Sequence, residues 1–183
     1  MEDKITVKDK MFEIYIKYKD IKAAVKKVAD NINKDFKNKT PVIIGVLNGS
    51  FIFIADLAKE LSIDCNISFI KVSSYEKTES SGKVTSIIGL TEDIKDKDVI
   101  IVEDIIDTGN TINNLINNIA NKQPKTISLV TLLFKPNSLM YDIKPNYVAI
   151  EIPDYFVIGY GLDYDKYGRN LKNIYRLSNT NAN

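Results

Sequence analysis

Val99-Ile100-Ile101-Val102-Glu103-Asp104-Ile105-Ile106-Asp107-Thr108-Gly109-Asn110-Thr111 is the stretch that decides the fold. Val99, Ile100, Ile101 and Val102 form an unbroken β-branched run, as expected of a strand buried on both faces of a parallel sheet. Glu103 and Asp104 stand where that strand is expected to end, and Asp107 opens a short loop containing Thr108, Gly109 and Thr111. Ile112, Leu115, Ile116 and Ile119 then recur at the spacing of one helix face.

The same alternation extends outward in both directions. Residues 11–19 alternate apolar and polar, as a short strand or an extended arm. Asp20 reads as the N-cap of a helix whose inner face is Ile21, Ala24, Val25, Val28, Ile32 and Phe36. After Pro41, residues 42–47 form a second fully apolar strand, which ends at Asn48-Gly49-Ser50. A helix from about 51 to 61 follows, turning Ile54, Leu57, Ala58 and Leu61 inward. A strand over 66–73, a polar run over 75–83 and a returning strand over 85–90 read as a hairpin. Further strands are expected over 126–134 and 147–152. Strands alternating with helices imply an α/β domain around a mainly parallel sheet. Such sheets bind ligands outside the carboxyl ends of their strands, where the loops at Asn48 and at 104–111 both fall.

Composition narrows the chemistry. A chain of 183 residues fits one domain over 1–183, and its 44% hydrophobic and 27% charged residues are ordinary for a globular protein. A net charge of +1 gives no reason to expect a nucleic-acid or membrane partner. The lone Cys65 cannot form an internal disulfide, fits a reducing cytoplasm and reads as a small core residue. Residues 1–10 lack an apolar run of signal-peptide length, so export is not expected, and residues 178–183 read as a frayed tail. Histidine is absent, which removes Ser-His-Asp, Cys-His and histidine-ligated zinc chemistry and leaves acid–base work to carboxylates, lysine or tyrosine.

A loop that feeds a helix N-terminus presents unpaired N–H groups and a positive dipole end, which together suit a phosphate. Gly109 permits close approach, and the hydroxyls of Thr108 and Thr111 add donors. Glu103 and Asp104 would repel phosphate; they can hold a hard cation such as Mg²⁺ or accept hydrogen bonds from vicinal sugar hydroxyls. This stretch resembles the 5-phosphoribosyl-1-diphosphate (PRPP) signature of type I phosphoribosyltransferases, in the Glu-Asp-Ile-Ile-Asp-Thr-Gly form of the hypoxanthine-guanine enzymes. The resemblance implies that fold, with a small hood from residues 1–19 and 153–177 and a lid over 73–85. It also implies that Ile106, Asp107, Thr108, Gly109, Asn110 and Thr111 hold the 5′-phosphate. Glu103 and Asp104 would take the ribose hydroxyls and their metal.

Leu47-Asn48-Gly49-Ser50 is a second strand-to-helix loop, readable as a plain turn or as an oxyanion site. In the family this loop holds the pyrophosphate of PRPP, often through a non-proline cis peptide; the lysine common there is replaced by Asn48. Ser74 and Tyr75 precede a polar segment that reads either as a solvated hairpin tip or, by resemblance, as a lid that excludes water from the reacting centre. Lys135 follows Leu132-Leu133-Phe134 at a strand end. It is an exposed lysine or, by resemblance, the donor to the 6-oxo group of a purine. Between Ile152 and Arg169 aromatic residues are interleaved with acids and could simply be core. The resemblance instead has Phe156 stack on the purine, backbone groups at Val157 read its edge, Asp163 hold Mg²⁺ and Arg169 contact the pyrophosphate.

The reaction so implied is Mg²⁺-dependent transfer of 5-phosphoribose from PRPP to N9 of hypoxanthine or guanine, giving IMP or GMP and pyrophosphate, with Asp107 as base. A homodimer or homotetramer is implied. Two rivals share the PRPP loop: a phosphoribosyltransferase for another base such as xanthine, and a PRPP-responsive nucleic-acid-binding regulator. The near-neutral charge speaks against the second.

Overall fold

The computed structural model describes residues 3–75 and 84–178, with backbone alone at 73–75 and 84–88. Most of the expected lid (76–83) and of the expected tail (179–183) therefore lies outside the described residues. The elements are β1 (Lys4–Val7), β2 (Lys10–Ile16), α1 (Tyr18–Asp35), β3 (Val42–Leu47), α2 (Phe51–Glu60), β4 (Asn66–Tyr75), β5 (Val84–Ile88), β6 (Asp98–Ile106), α3 (Asn110–Ala120), β7 (Thr126–Phe134), a 3₁₀ turn (Pro136–Ser138), β8 (Tyr147–Glu151), β9 (Val157–Ile158) and β10 (Ile174–Leu177).

They build two sheets. The larger runs β5-β4-β3-β6-β7-β8, parallel throughout except for β5, which returns antiparallel on β4. The smaller is antiparallel, ordered β1-β2-β10-β9, and draws its strands from both ends of the chain. The α/β architecture with a hood-like second sheet is thus the one the sequence implies.

Period two explains why the central strands read as continuous apolar runs. Successive side chains of β3 and β6 leave on opposite faces of the sheet. Ile43, Ile100 and Val102 join a core with α1 and α2, whereas Val42, Ile44, Val46, Val99 and Ile101 join another with Ile112, Leu115 and Ile119 of α3. Both faces are covered, so no polar position is tolerated along those runs. A third cluster, around Phe12, Ile158 and Tyr175, ties the hood together.

Three local expectations are corrected. β6 does not end at Glu103 and Asp104 but continues to Ile106, pairing Glu103 with Thr131 and Ile106 with Phe134 of β7. The acids lie inside the strand because the ladder to β7 satisfies their backbone, whatever their side chains require. Helix α1 starts at Tyr18 after Lys17, with no side-chain cap, so Asp20 lies in its first turn rather than at its N-cap. In α2 the buried residues are Phe53, Ile54, Asp56 and Leu57, while Ala58 and Leu61 are only half-buried.

From β3 the chain passes through α2 to β4 on one side and, after the hairpin, returns to β6 on the other. The helices following β3 and β6 thereby cover opposite faces, which makes the β3–β6 boundary the switch point of the sheet. A crevice opens there at the carboxyl ends. Among the described residues no helix is long and apolar enough to cross a membrane.

Candidate active site

At the carboxyl end of β6 the carboxylates of Glu103 and Asp104 leave the sheet on opposite faces. Glu103 is buried, and its Oε2 has no hydrogen-bond partner among the described residues. Burial, reinforced by the neighbouring Asp104 charge, pushes its pKa well above the ordinary carboxylate range. Burial also raises Asp104, to about 6, against the opposing pull of the backbone amide of Ile105, which donates to Oδ1 at 3.0 Å.

Asp104 meets the loop after β3. A Cβ placed on Gly49 would lie 1.5 Å from Asp104 Oδ2, so only glycine fits between them. The Leu47–Asn48 peptide is cis, as the resemblance implies. From the other side comes the segment after β9: a Cβ on Gly161 would lie 2.0 Å from the carbonyl oxygen of Gly49. Arg169 in turn donates from Nη1 to the Gly161 carbonyl at 2.8 Å and pairs through Nη2 with Asp163 at 2.6 Å. Asp163 also accepts from the amide of Lys166 at 2.7 Å. Asp104, Gly49, Gly161, Arg169 and Asp163 therefore form one chain of contacts, although they come from three distant parts of the sequence.

Beyond β6, residues 105–112 and Glu103 line a recess of about 250 Å³. Gly109 takes φ +80° immediately before α3, a left-handed conformation that glycine adopts at no steric cost. The first intrahelical bond runs from the Asn113 amide to the Gly109 carbonyl, so the amides of Thr111 and Ile112 precede it and face the recess end of the helix. Asn110 Oδ1 accepts from the Tyr141 hydroxyl at 3.1 Å.

Lys135 is a buried lysine, not a solvated one. Its Nζ lies 2.8 Å from Asp107 Oδ2 and 2.9 Å from Asp154 Oδ1. Burial pulls its pKa down, but the hydrogen bonds it donates to the two carboxylates outweigh this and leave it raised. Asp107 thus sits on the loop before α3 with an ammonium at its side, and Asp154, an acid that no local pattern singles out, completes the bridge.

In the hood the Phe156 ring is 46% exposed, with Tyr164 edge-on at 5.9 Å and Phe12 tilted at 6.2 Å between centroids. Val157 lies opposite Arg176 on β10, and the amide of Leu177 donates to the Phe156 carbonyl at 2.9 Å. In an antiparallel ladder that pattern makes Val157 a non-hydrogen-bonded position, whose N–H and C=O turn to the free edge of the sheet. Ser74 and Tyr75 end β4, their backbones opposite Thr85 and Val84 of β5, and their side chains lie outside the described set.

The donor set is suited to magnesium. Among the described residues no three Asp, Glu, His or Cys side chains gather into a closed cage. Mg²⁺, however, characteristically takes one or two carboxylates and completes its shell with water and substrate oxygens. The unpaired Oε2 of Glu103 and the Asp104 carboxylate are acceptors of that kind, one on each face of the strand end. The residues missed from sequence, Asp154, Gly161 and the buried pair Asp56–Tyr160, act through partners 19 to 112 positions away. No local pattern could have flagged them.

The phosphoribosyl transferase domain model matches residues 15–165. A hypoxanthine-guanine phosphoribosyltransferase of Staphylococcus aureus is 40% identical over 163 residues, 88% of this chain and 91% of the relative. One from Streptococcus pneumoniae is 38% identical over the same lengths. Among solved structures, a hypoxanthine phosphoribosyltransferase from Staphylococcus aureus superposes with a TM-score of 0.84 at 40% identity, covering 91% of each chain. A hypoxanthine-guanine phosphoribosyltransferase from Bacillus anthracis gives 0.81 at 37%, covering 91% of this chain and 96% of that one.

Proposed function

Because this chain belongs to the phosphoribosyl transferase domain family and carries the hypoxanthine-guanine phosphoribosyltransferase activity of purine salvage, we propose a specific division of labour among its residues. The substrates are PRPP and a 6-oxopurine. The observation that carries the assignment of roles is the contact between the two switch-point loops, Gly49 against the carboxylate of Asp104, beside the amide-lined recess at the start of α3.

In this reading the 5′-phosphate occupies the loop of Ile106, Asp107, Thr108, Gly109, Asn110 and Thr111, held by helix-terminal amides and the threonine hydroxyls. Glu103 and Asp104 accept from the ribose diol. Asn48, Gly49 and Arg169 receive the pyrophosphate, with Arg169 already oriented by Asp163 and the Gly161 carbonyl. The purine lies on Phe156, its edge read by the free-edge backbone of Val157 and its 6-oxo group by Lys135. Ser74 and Tyr75 belong to the lid.

As the C1–pyrophosphate bond loosens, positive charge spreads over the ribose ring, and the neighbouring carboxylates stabilise it. Asp107 takes the purine N7 proton while N9 attacks. Lys135 then has two tasks: it polarises the purine carbonyl, and it must first release Asp107. Glu103, Asp104 and Asp163 would hold Mg²⁺, which when bound would supply charge neutralisation for the leaving group. The enzyme is assigned to the cytoplasm. As its assembly we assign a homodimer or homotetramer, a reading supported by Ile67 and Phe69, two exposed apolar residues on one face of β4.

The test is an assay of PRPP with hypoxanthine, guanine, xanthine and adenine, following pyrophosphate release. Turnover confined to the 6-oxopurines is expected. Release with adenine alone, or with no base, would overturn the reading.

A further inference from the structure

Directly between β9 and the Asp163–Arg169 segment, three consecutive residues adopt positive φ: Gly159 at 97°, Tyr160 at 52° and Gly161 at 105°. Glycine does this freely; for a bulky tyrosine it is uncommon and persists only where the surroundings impose it. Here they do so at both ends of the residue. The Tyr160 amide donates to the Leu171 carbonyl at 2.7 Å, and its hydroxyl donates to Asp56 Oδ2 at 2.8 Å, across 104 residues of sequence. Both partners of that bond are buried, Tyr160 to 1% and Asp56 to 7% exposure.

Asp56 lies in α2, the helix that begins immediately after Asn48-Gly49-Ser50. Tyr160 is the residue before Gly161, whose backbone abuts the Gly49 carbonyl and is held by Arg169. The hydroxyl–carboxylate bond therefore joins the two segments that face each other across the pyrophosphate end of the site. Lys59 and Lys22, at 3.3 and 3.8 Å, hold the carboxylate from its other side.

We propose that Asp56 and Tyr160 are positioning residues for pyrophosphate: their bond sets the spacing between the Asn48–Gly49 loop and the Gly161–Arg169 segment. Neither touches substrate. The inference rests on the assignment of Asn48, Gly49 and Arg169 to pyrophosphate. Burial above all, and then the bond to Asp56, hold the Tyr160 hydroxyl far above its ordinary titration range, so it donates at every assay pH.

A second tyrosine–aspartate bond in the same molecule, more exposed than the first, serves as a control. The Tyr147 hydroxyl donates to Asp35 at 2.9 Å, joining β8 to the end of α1, remote from the loops. The experiment measures KM and kcat for Tyr160→Phe, Asp56→Asn, Tyr147→Phe and Arg169→Gln, with PRPP in the forward direction and pyrophosphate in reverse. Tyr160→Phe is expected to raise both KM values roughly five- to twentyfold, a part of the worth of one buried hydrogen bond to a charged acceptor, since the bond acts on pyrophosphate only through spacing. Its kcat and its KM for hypoxanthine should stay within about threefold of wild type. Asp56→Asn, which retains an acceptor for the hydroxyl, should keep near-native KM values, and Tyr147→Phe should change none of them. A Tyr160→Phe enzyme indistinguishable from Tyr147→Phe, or one whose hypoxanthine KM rises equally, would overturn the positioning role. If Arg169→Gln also left the KM values for PRPP and pyrophosphate unchanged, the pyrophosphate assignment beneath it would fall as well.

Discussion

Glu103 and Asp104 at the end of β6, and Asp107 three residues on, are acids of one short stretch held in opposite electrostatic states. The first two are drawn into the sheet, form no ion pair among the described residues, and have their pKa values raised by desolvation. The third stands on the loop, partly exposed, with the buried ammonium of Lys135 against it. The difference separates two uses of a carboxylate. A pair of acids deprived of water and of any directly paired cation gains most from a cation or a diol that arrives with the substrate. An acid already paired gains little from binding, and its use depends on when its partner leaves.

The strongest way to break this contrast is to neutralise the paired acid. Asp107→Asn preserves the shape of the loop and its amides, so PRPP should still bind with a KM within a few-fold of wild type. Turnover should fall by roughly 10²–10⁴, the usual contribution of a positioned base. Steady-state kinetics with hypoxanthine checks it. Equal losses in kcat and in PRPP affinity would assign Asp107 to phosphate binding alone and erase the distinction between the two kinds of acid.

Neutralising an unpaired acid should instead raise stability. A carboxyl group whose pKa is raised from 3.8 unfolded to about 6 folded contributes stability that is fully present below pH 3.8 and lost as the pH rises through 6. At pH 7 to 8 the substrate-free enzyme therefore bears an ionised Asp104 that its surroundings disfavour. Asp104→Asn should stabilise it there by up to about 3 kcal/mol, less wherever solvent reaches the carboxylate, while lowering activity. Denaturant unfolding of both proteins at pH 4 and pH 8 decides the matter: the mutant's advantage should appear at pH 8 and vanish by pH 4. An advantage that ignores pH would trace to packing rather than to charge.

The same contrast marks where the sequence could be read and where it could not. The run 42–47 corresponds residue for residue to β3, because a strand covered on both faces has no polar position to blur its ends; 126–134 corresponds to β7 as well, although Thr126, Ser128 and Thr131 interrupt its apolar run. Around 103–104 that rule misled. Acids signal the end of a buried strand only if nothing requires them inside it, and here the ladder continues past them to Ile106. Lys135 was located correctly at a strand end, yet its burial and its tie to Asp154 were invisible, since Asp154 becomes its neighbour only through the parallel pairing of β7 with β8. The Asp56–Tyr160 bond was beyond reach for the same reason. A helix register that buries one acid can be read locally; the hydroxyl that makes it tolerable comes from the far end of the chain.

The finest test of the contrast lies in Lys135 itself, which holds two acids of unequal exposure: the Asp107 side chain is 43% exposed and that of Asp154 is 73% exposed. Lys135→Met removes the donor expected to meet the purine carbonyl. The loss of a charged hydrogen bond predicts a purine KM raised by roughly ten- to a hundredfold, with the PRPP KM little changed. Asp154→Asn is a much milder change. An ion pair so open to water is worth no more than about 1 kcal/mol, and often nothing measurable, so the purine KM should move by less than about fivefold. The direction of that small movement is informative. If Asp154 merely shields a buried ammonium, its loss strengthens the hold of Asp107 on Lys135, the lysine becomes harder to release to the purine, and KM rises. If Asp154 competes with the purine for the lysine, its loss lowers KM. Because Lys135 is buried and its backbone is fixed at the end of β7, the ammonium moves over a short range, so a hold on it from either carboxylate is felt when it turns to the purine. The two carboxylates therefore act as opposed tethers, and a rise in KM for Asp154→Asn is the expected outcome.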